Sequence, residues 1–276
     1  MKIEKNIFYD LEYEELKAYL SNNFNLDEKK SSMRANQIWK FVYKKGLMQV
    51  DSFLNISNEL KENLEKKIDF DRITISEEKK SVDGTIKWLL KLKDNNLVET
   101  VYIPFGKTGT LCISSQVGCT LNCKFCHTGT QMMVRNLDTN EIVQQLLIAK
   151  DRLTDWGSEK KIRNIVYMGM GEPFYNYSNV KKSINILNNN FGLDYSPGRI
   201  TVSTAGVTPQ ILEAANEIKT CLALSLHAPN DEIREKIMPI NKKYKIADLI
   251  FSCSSYAKKN NEKIFLEYVL LKNIND

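Results

Sequence analysis

The sequence predicts an α/β protein: a parallel sheet covered by helices and able to curl into a barrel or partial barrel, preceded by a small helical segment. Three observations carry this. Strand and helix patterns alternate across residues 109–276, which sets successive strands parallel, and right-handed crossovers let such a sheet curl. Residues 1–70 instead read as mostly helical. The composition, 276 residues with 42% hydrophobic and 26% charged, is that of a globular chain able to bury a real core.

The elements follow in order. Lys29 to Gly46 carries Ile38, Phe41 and Val42 at helical spacing, and Gly46 suits a C-cap. Lys29, Lys30, Arg34, Lys40, Lys44 and Lys45 lie along this segment with Trp39 and Tyr43 among them. Taken alone, that pattern reads first as a solvated amphipathic helix, with a phosphate-contacting RNA surface as the sharper alternative. Ser57 caps a second helix whose apolar face is Leu60, Leu64 and Ile68. Arg72 to Ser76 alternates as a strand, Asp83-Gly84 marks a hairpin, and Trp88 to Leu92, Leu97 to Ile103 and Thr110 to Ser115 are further strands. Helices are expected over Asn140–Leu153, Val180–Asn188, Pro209–Glu217, Asp231–Ile237 and Ile246–Lys259. The strands between them are Ile162–Met168, Arg199–Ser203, Thr220–Leu226 and Ile264–Leu271. The chain so divides into a helical segment (1–70), a β-rich connecting segment (71–108) and an α/β core (109–276). It stops at Asn275-Asp276, directly after a strand, an odd place for a parallel sheet to end.

Composition narrows the function classes. No run of about 18 uncharged apolar residues is present, so no membrane span is expected. The start, Met1-Lys-Ile-Glu-Lys-Asn, lacks a signal-peptide core, which places the protein in the cytoplasm among reduced thiols. Six cysteines there point to metal or redox chemistry rather than a disulfide framework. A net charge of +5 and a pI near 8.7 permit a nucleic-acid partner without demanding one. The two histidines, His127 and His227, argue against a His-rich metal site or a Ser-His-Asp triad.

Cys119-Thr-Leu-Asn-Cys123-Lys-Phe-Cys126 is a C-x₃-C-x₂-C cluster. Three thiolates on one short loop can hold three irons of a cubane and leave the fourth open to a small molecule, whereas ferredoxin-type clusters and structural zinc sites use four ligands. The loop follows a strand, so it sits at a carboxyl end, where α/β sheets place their sites. Phe125 either packs on an adenine or belongs to the core. Later strand ends are polar too. Gly169 and Gly171 allow close backbone approach, Glu172 can accept from an ammonium, and Ser203 and then Ser225-Leu226-His227 end the next two strands.

Together these motifs resemble the radical S-adenosylmethionine (SAM) superfamily and, within it, the RlmN/Cfr family of RNA adenosine methyltransferases. The match rests on Arg34-Ala-Asn-Gln-Ile-Trp39, Val98-Glu99-Thr100, Cys112-Ile-Ser-Ser-Gln-Val-Gly-Cys119, the cysteine cluster, Arg135-Asn136-Leu137, Gly169-Met-Gly-Glu-Pro173, Val202-Ser-Thr-Ala-Gly206 and Leu224-Ser-Leu-His-Ala-Pro229. The resemblance implies a partial (β/α)6-type radical SAM barrel, C-terminally truncated, with a small N-terminal helical accessory domain that binds RNA. It implies a [4Fe–4S] cluster on Cys119, Cys123 and Cys126. It also implies S-adenosyl-L-methionine held by Gly171, Glu172, Ser203, Ser225, Leu226 and His227. Two catalytic residues follow: Glu99, taking a proton from the adenine ring, and Cys112, resolving an enzyme–RNA link through a disulfide. Read from spacing alone, Glu99 is an exposed strand carboxylate and Cys112 a core thiol; Cys221 and Cys253 have no counterpart role and read as core.

The implied reaction is methylation of adenosine C2 in 23S rRNA, at the peptidyl-transferase centre, and in tRNA next to the anticodon. It runs through a methylated cysteine and draws electrons from a reductant such as flavodoxin or ferredoxin. The alternatives are C8 methylation of the same rRNA base, as in the Cfr type, and an inactive cluster- or RNA-binding remnant. Thr130-Gln-Met-Met133 departs from the family pattern without touching these roles. The larger departure is at the end. The family's methyl-carrying cysteine, and a strand bearing a ligand-contacting asparagine, lie beyond the strand that carries Glu267-Tyr-Val, and nothing here matches them. The expectation is a chain that holds a cluster but does not methylate RNA by itself, with an exposed sheet edge and poor solubility.

Overall fold

A computed structural model describes residues 5–276. The N-terminal part comprises a two-residue strand β1 (Asn6–Ile7), helices α1 (Tyr13–Phe24), α2 (Glu28–Tyr43) and α3 (Asn58–Lys67), and strand β2 (Ile68–Asp69), which pairs parallel with β1. Three helix starts are set by side chains. Glu12 and Glu15 form a reciprocal capping box on α1, the Asp27 carboxylate accepts the Lys30 N–H at 2.8 Å, and Ser57 caps α3 as expected. Gly46, at φ +70°, closes α2: the Gly46 N–H reaches Val42 O at 3.1 Å and the Leu47 N–H reaches Phe41 O at 3.0 Å.

This part corrects one expectation. Trp39 and Tyr43 do not interleave with the basic residues on a surface. Both are buried in an aromatic core with Phe8, Tyr9 and Phe70, where the Phe8 and Phe70 rings stack at 4.9 Å. Burying two large rings outweighs presenting them to solvent. Lys29, Lys30, Lys40, Lys44 and Lys45 remain exposed, while Arg34 is tied to Gln37 and to Asn55 O.

The rest is built on one sheet. In chain order its elements are β3 (Thr74–Lys80), β4 (Ile86–Lys91), β5 (Leu97–Phe105), β6 (Thr108–Cys112), the short pair β7 (Gln116–Val117) and β8 (Arg135–Asn136), α4 (Thr139–Leu153), β9 (Ile162–Tyr167), α5 (Tyr177–Asn188), β10 (Ile200–Thr204), α6 (Thr208–Glu217), β11 (Cys221–Ser225), α7 (Asp231–Ile237), α8 (Ile246–Asn260) and β12 (Ile264–Glu267). Eight strands align in the order β12-β11-β10-β9-β6-β5-β4-β3. The first five named are mutually parallel; β5, β4 and β3 continue the sheet antiparallel. Residues 71–108 therefore extend the core sheet instead of merely leading into it.

Strand alternation gives the sheet two faces. Leu111, Ile165, Val202, Leu222 and Leu224 are buried on the helix-covered face. The opposite face carries Glu99, Cys112, Ser203, Ser225 and Glu267, as the pairings Val101↔Cys112↔Val166↔Thr201 and Ser225↔Glu267 require. Two expected strands stop early. Past Cys112 the chain leaves the ladder, because the Ser114 N–H goes to Gln145 Oε1 at 2.7 Å and the Ser115 N–H to Met170 O at 2.9 Å. Past Glu267 the Val269 N–H goes to His227 Nδ1 at 3.1 Å. The strand β12 leaves Phe265 and Leu266 more than half exposed (56% and 57%).

A candidate cofactor cavity at the strand ends

The cysteine loop follows β7. Gly118 enters it at φ +77°, where a side chain would strike the Met132 carbonyl, and Asn122 adopts a left-handed φ of 51°. The loop closes on itself through Cys126 N–H to Cys123 O at 3.1 Å and Gly129 N–H to Cys126 O at 3.0 Å. A Cβ on Gly129 would lie 2.7 Å from the Cys123 carbonyl oxygen, so glycine is required there for packing. The Lys124 N–H donates to Ile237 O at 2.9 Å and ties the loop to the end of α7.

A cavity of about 300 Å³ lies between this loop and the carboxyl ends of β9, β10, β11 and β12. Cys119, Cys123 and Cys126 line one side, while Gly171, Glu172, Ser203, Ser225, His227 and Glu267 line the others. Ten of the residues singled out from sequence, Phe125 and Gly169 among them, thus meet at one place. Leu226 does not line it: its N–H donates to Glu267 O at 3.1 Å, so its role is to hold the β11 end against β12. Glu99 and Cys112 also stand outside it, further along the same face of the sheet. Glu99 is ion-paired with Lys87 at 2.9 Å, its side chain 44% exposed.

The electrostatics follow from burial. Glu172 is buried, accepting the Ala205 N–H at 2.7 Å and the Phe174 N–H at 3.1 Å; desolvation pushes its pKa up to about 7 despite these bonds. The carboxylate expected to meet an ammonium thus also stitches the β9 and β10 ends together. Burial, and then the Arg234 charge, bring His227 down to about 4. Its Nδ1 accepts from Val269, which leaves the ring proton on Nε2. Phe125 meets the His227 ring edge-on at 4.6 Å. Burial raises the Cys119 thiol, and it pushes Cys123 up to about 12 and Cys112 up to about 11. Bound iron would reverse this for the loop thiols, since a coordinated thiol is deprotonated.

The donor set suits a multi-iron group. Among the described residues no three His, Cys, Asp or Glu side chains gather around a single point as ligands of one ion do. The three loop thiols all line the cavity, where each could bind a separate iron of one cluster. Opposite them stand polar groups able to hold a second, organic ligand.

Two contributors escaped sequence reasoning. Glu267 accepts from both Ser203 Oγ (3.3 Å) and Ser225 Oγ (3.1 Å); the strand expected to run on to Leu271 put it in an interior position, so the strand-end rule that found the serines passed over it. Arg234, fully buried on α7, donates to Ala205 O, Ser225 O and Leu226 O and so binds two strand ends into one wall. A short charged helix gave no sign of that.

Comparison with known proteins agrees with this geometry. The family model described as Radical SAM superfamily matches residues 113–276, and that described as Ribosomal RNA large subunit methyltransferase N-terminal domain matches residues 6–69. The chain is 47% identical over 266 residues to a dual-specificity RNA methyltransferase RlmN of Parvibaculum lavamentivorans, covering 92% of this chain and 67% of the relative. It is 46% identical over 292 residues to the RlmN of Chelativorans sp., covering 99% and 71%. The chain so spans about two thirds of the length of these relatives. Among solved structures it is similar to a radical SAM methyltransferase from Sphaerobacter thermophilus, with a TM-score of 0.89 and 36% identity, over 98% of this chain and 78% of that one. Among the described residues no helix is long and apolar enough to cross a membrane.

Proposed function

The chain belongs to the radical SAM superfamily and, within it, to the RlmN family, and from that premise we propose that its cavity serves methylation of an RNA adenine carbon, with 23S rRNA and tRNA as substrates. The observation that carries this is the single cavity walled by the three loop thiols on one side and by four polar strand ends on the others. Its residues fit a [4Fe–4S] cluster on Cys119, Cys123 and Cys126 and S-adenosyl-L-methionine against Gly171, Glu172, Ser203, Ser225 and His227, with Leu226 supporting from behind. When bound, the cluster and its ligand supply one-electron chemistry, which reaches an adenine carbon that ordinary nucleophilic methyl transfer does not.

The chain's own residues do the rest. Gly171, at φ +98°, lets the backbone pass close to the ligand, and a Cβ there would run into the Gln116 side chain. Phe125 and His227, packed edge to face at 4.6 Å, both line the cavity and give it aromatic surface that suits a base. Glu99 Oε1 accepts from the Lys87 ammonium at 2.9 Å on the open face of the sheet, within reach of solvent and of a base laid against that face. In this reading it takes the ring proton of the adenine. Cys112, kept protonated by burial, is the resolving thiol: once it has lost its proton its sulfur would bond to the sulfur of the family's methyl-carrying cysteine, which nothing in this sequence matches, as that sulfur's bond to the product carbon breaks and the electron pair leaves with the product. Residues 1–70 bind RNA, the exposed lysines of α2 meeting phosphates. The electrons come from a small cytoplasmic reductant of the flavodoxin or ferredoxin kind. The RlmN names of the relatives favour C2 over the C8 product of the Cfr type.

The test is anaerobic reconstitution with iron and sulfide. About four irons per chain are expected, with a visible absorbance that bleaches on reduction. Reductive cleavage of S-adenosyl-L-methionine should accompany it, and both should be lost in Cys119→Ala, Cys123→Ala and Cys126→Ala. Zinc in place of iron, or cleavage surviving in the alanine variants, would sink the reading. Mass spectrometry of nucleosides from treated rRNA separates C2 from C8 modification.

A further inference from the structure

Arg234 carries a charge that its own surroundings do not match. The guanidinium is fully buried, and its bonds all go to neutral oxygens: Leu226 O and Asn241 Oδ1 at 3.0 Å, Ala205 O at 2.7 Å and Ser225 O at 2.8 Å. Among the described residues no carboxylate pairs with it. Asp231 acts at one remove, its carboxylate accepting from Asn241 Nδ2 at 2.9 Å. Burial lowers the Arg234 pKa to about 10, which leaves the group cationic at neutral pH. A buried cation is costly unless an opposite charge meets it, and the three carbonyls supply dipoles but no charge.

The position of Arg234 shows which charge is available. Ala205 and Ser225, two of its acceptors, line the cavity, and so does Met238, whose N–H donates to Arg234 O at 2.7 Å. The cysteine loop is tied to the same helix by the Lys124 N–H, which donates to Ile237 O at 2.9 Å. Arg234 itself does not line the cavity and stands behind this wall. Next after burial, Cys123 acts on it most strongly, ahead of Asp231; conversely, Arg234 opposes the burial that raises the Cys123 thiol. Three thiolates outweigh the positive charge of a cubane, and one added electron makes the group more negative still. A positive charge nearby offsets this and raises the reduction potential. We propose that Arg234 is the buried counter-charge of the cluster: it offsets the thiolates and eases the addition of one electron. It acts through space, and its bonds to the strand ends hold it in place. The assignment rests on the reading that Cys119, Cys123 and Cys126 hold a [4Fe–4S] cluster.

The test uses the full chain reconstituted anaerobically with iron and sulfide, without S-adenosyl-L-methionine. Its midpoint potential is read by titration with a low-potential chemical reductant, following visible absorbance and the electron paramagnetic resonance of the reduced form. The added electron comes from that reductant, and no bond is made or broken. Arg234→Gln removes the charge but still donates hydrogen bonds. Its potential should fall by about 59 mV or more, a tenfold shift in a one-electron equilibrium. Arg234→Lys keeps the charge but loses the planar fork. Its potential should fall by less than half as much, although its melting temperature drops. Stability thus follows the hydrogen bonds and potential follows the charge. An unchanged potential in Arg234→Gln, or equal falls in both variants, overturns the assignment. If the glutamine variant does not fold, Arg234→Lys decides alone: a fall under half the size expected for glutamine supports the assignment, and a larger one overturns it. If the wild-type chain takes up no iron, the cluster reading fails and this assignment with it.

Discussion

At the scale of single residues, the cavity is held by groups whose burial has chemical consequences. Glu172 is the clearest case. Its folded pKa is raised to about 7, above the ordinary value of 4.5, so the folded state favours the protonated carboxyl. Between those values the folded chain binds a proton that the unfolded chain has released. Stability from this group is therefore fully present below about 4.5 and is lost as pH rises through about 7, by at most roughly 3 kcal/mol. The expected outcome is that the stability of the ligand-free wild-type chain relative to Glu172→Gln declines between pH 5 and 8. Denaturant unfolding of both proteins across that range checks it, and a difference independent of pH would refute it. Gly129 makes a second case. Its missing Cβ is what allows the loop to close on the Cys123 backbone. Gly129→Ala should fold but incorporate clearly less iron than wild type, as read by iron analysis after reconstitution; full occupancy would show that the loop has more room than its geometry indicates.

At the scale of elements, α2 shows what sequence makes legible and what it does not. Its helical period, its basic composition and the cap at Gly46 were all readable from the chain. Which residues faced outward was not, because the aromatic positions belong to a core assembled with Phe8, Tyr9 and Phe70, far off in sequence. The two groups should therefore separate experimentally. Trp39→Ala should cost about 3 kcal/mol or more of stability, as for other buried aromatic truncations, measured by denaturant unfolding. Lys29→Glu with Lys30→Glu and Lys40→Glu should leave stability nearly unchanged, weaken RNA binding, and flatten its salt dependence by roughly one phosphate contact per effective lysine. Loss of RNA affinity from Trp39→Ala at full stability would reverse this division. The strands tell a similar story. The cysteine loop and the polar strand ends could be read in order because each follows a local pattern. The bond between Glu267 and two serines could not, since it depends on the register of β10, β11 and β12, which no local pattern records.

At the scale of the molecule, the helical N-terminal part and the sheet form one body. All positions of α4 from Thr139 to Lys150 are buried, although Asn140, Glu141, Gln144 and Gln145 are polar. An amphipathic helix on a sheet would leave such a face to water; here two different partners cover it. On the sheet side Gln145 accepts from Thr100 Oγ1 and Ser114 N–H, at 2.8 and 2.7 Å. On the N-terminal side the Asn140 N–H and Nδ2 both donate to the Asp10 carboxylate, at 2.8 and 2.9 Å. Lys182 on α5 pairs with Glu15 at 2.7 Å, and Tyr13 packs on Phe191 at 5.0 Å. The buried apolar side chains run without a break from Phe8 to Tyr256. Removing residues 1–70 would strip the cover from α4 and leave Asn140 without its partner, a cost of about 1–3 kcal/mol for each buried polar group so orphaned, on top of the exposed apolar surface. The whole chain should accordingly unfold in a single calorimetric transition, with equal calorimetric and van't Hoff enthalpies. A chain lacking residues 1–70 should melt well below it or fail to remain in solution. Two resolved transitions in the whole chain, or a truncated core with an unchanged melting temperature, would show instead that the N-terminal part is an independent attachment, free to move relative to the cavity.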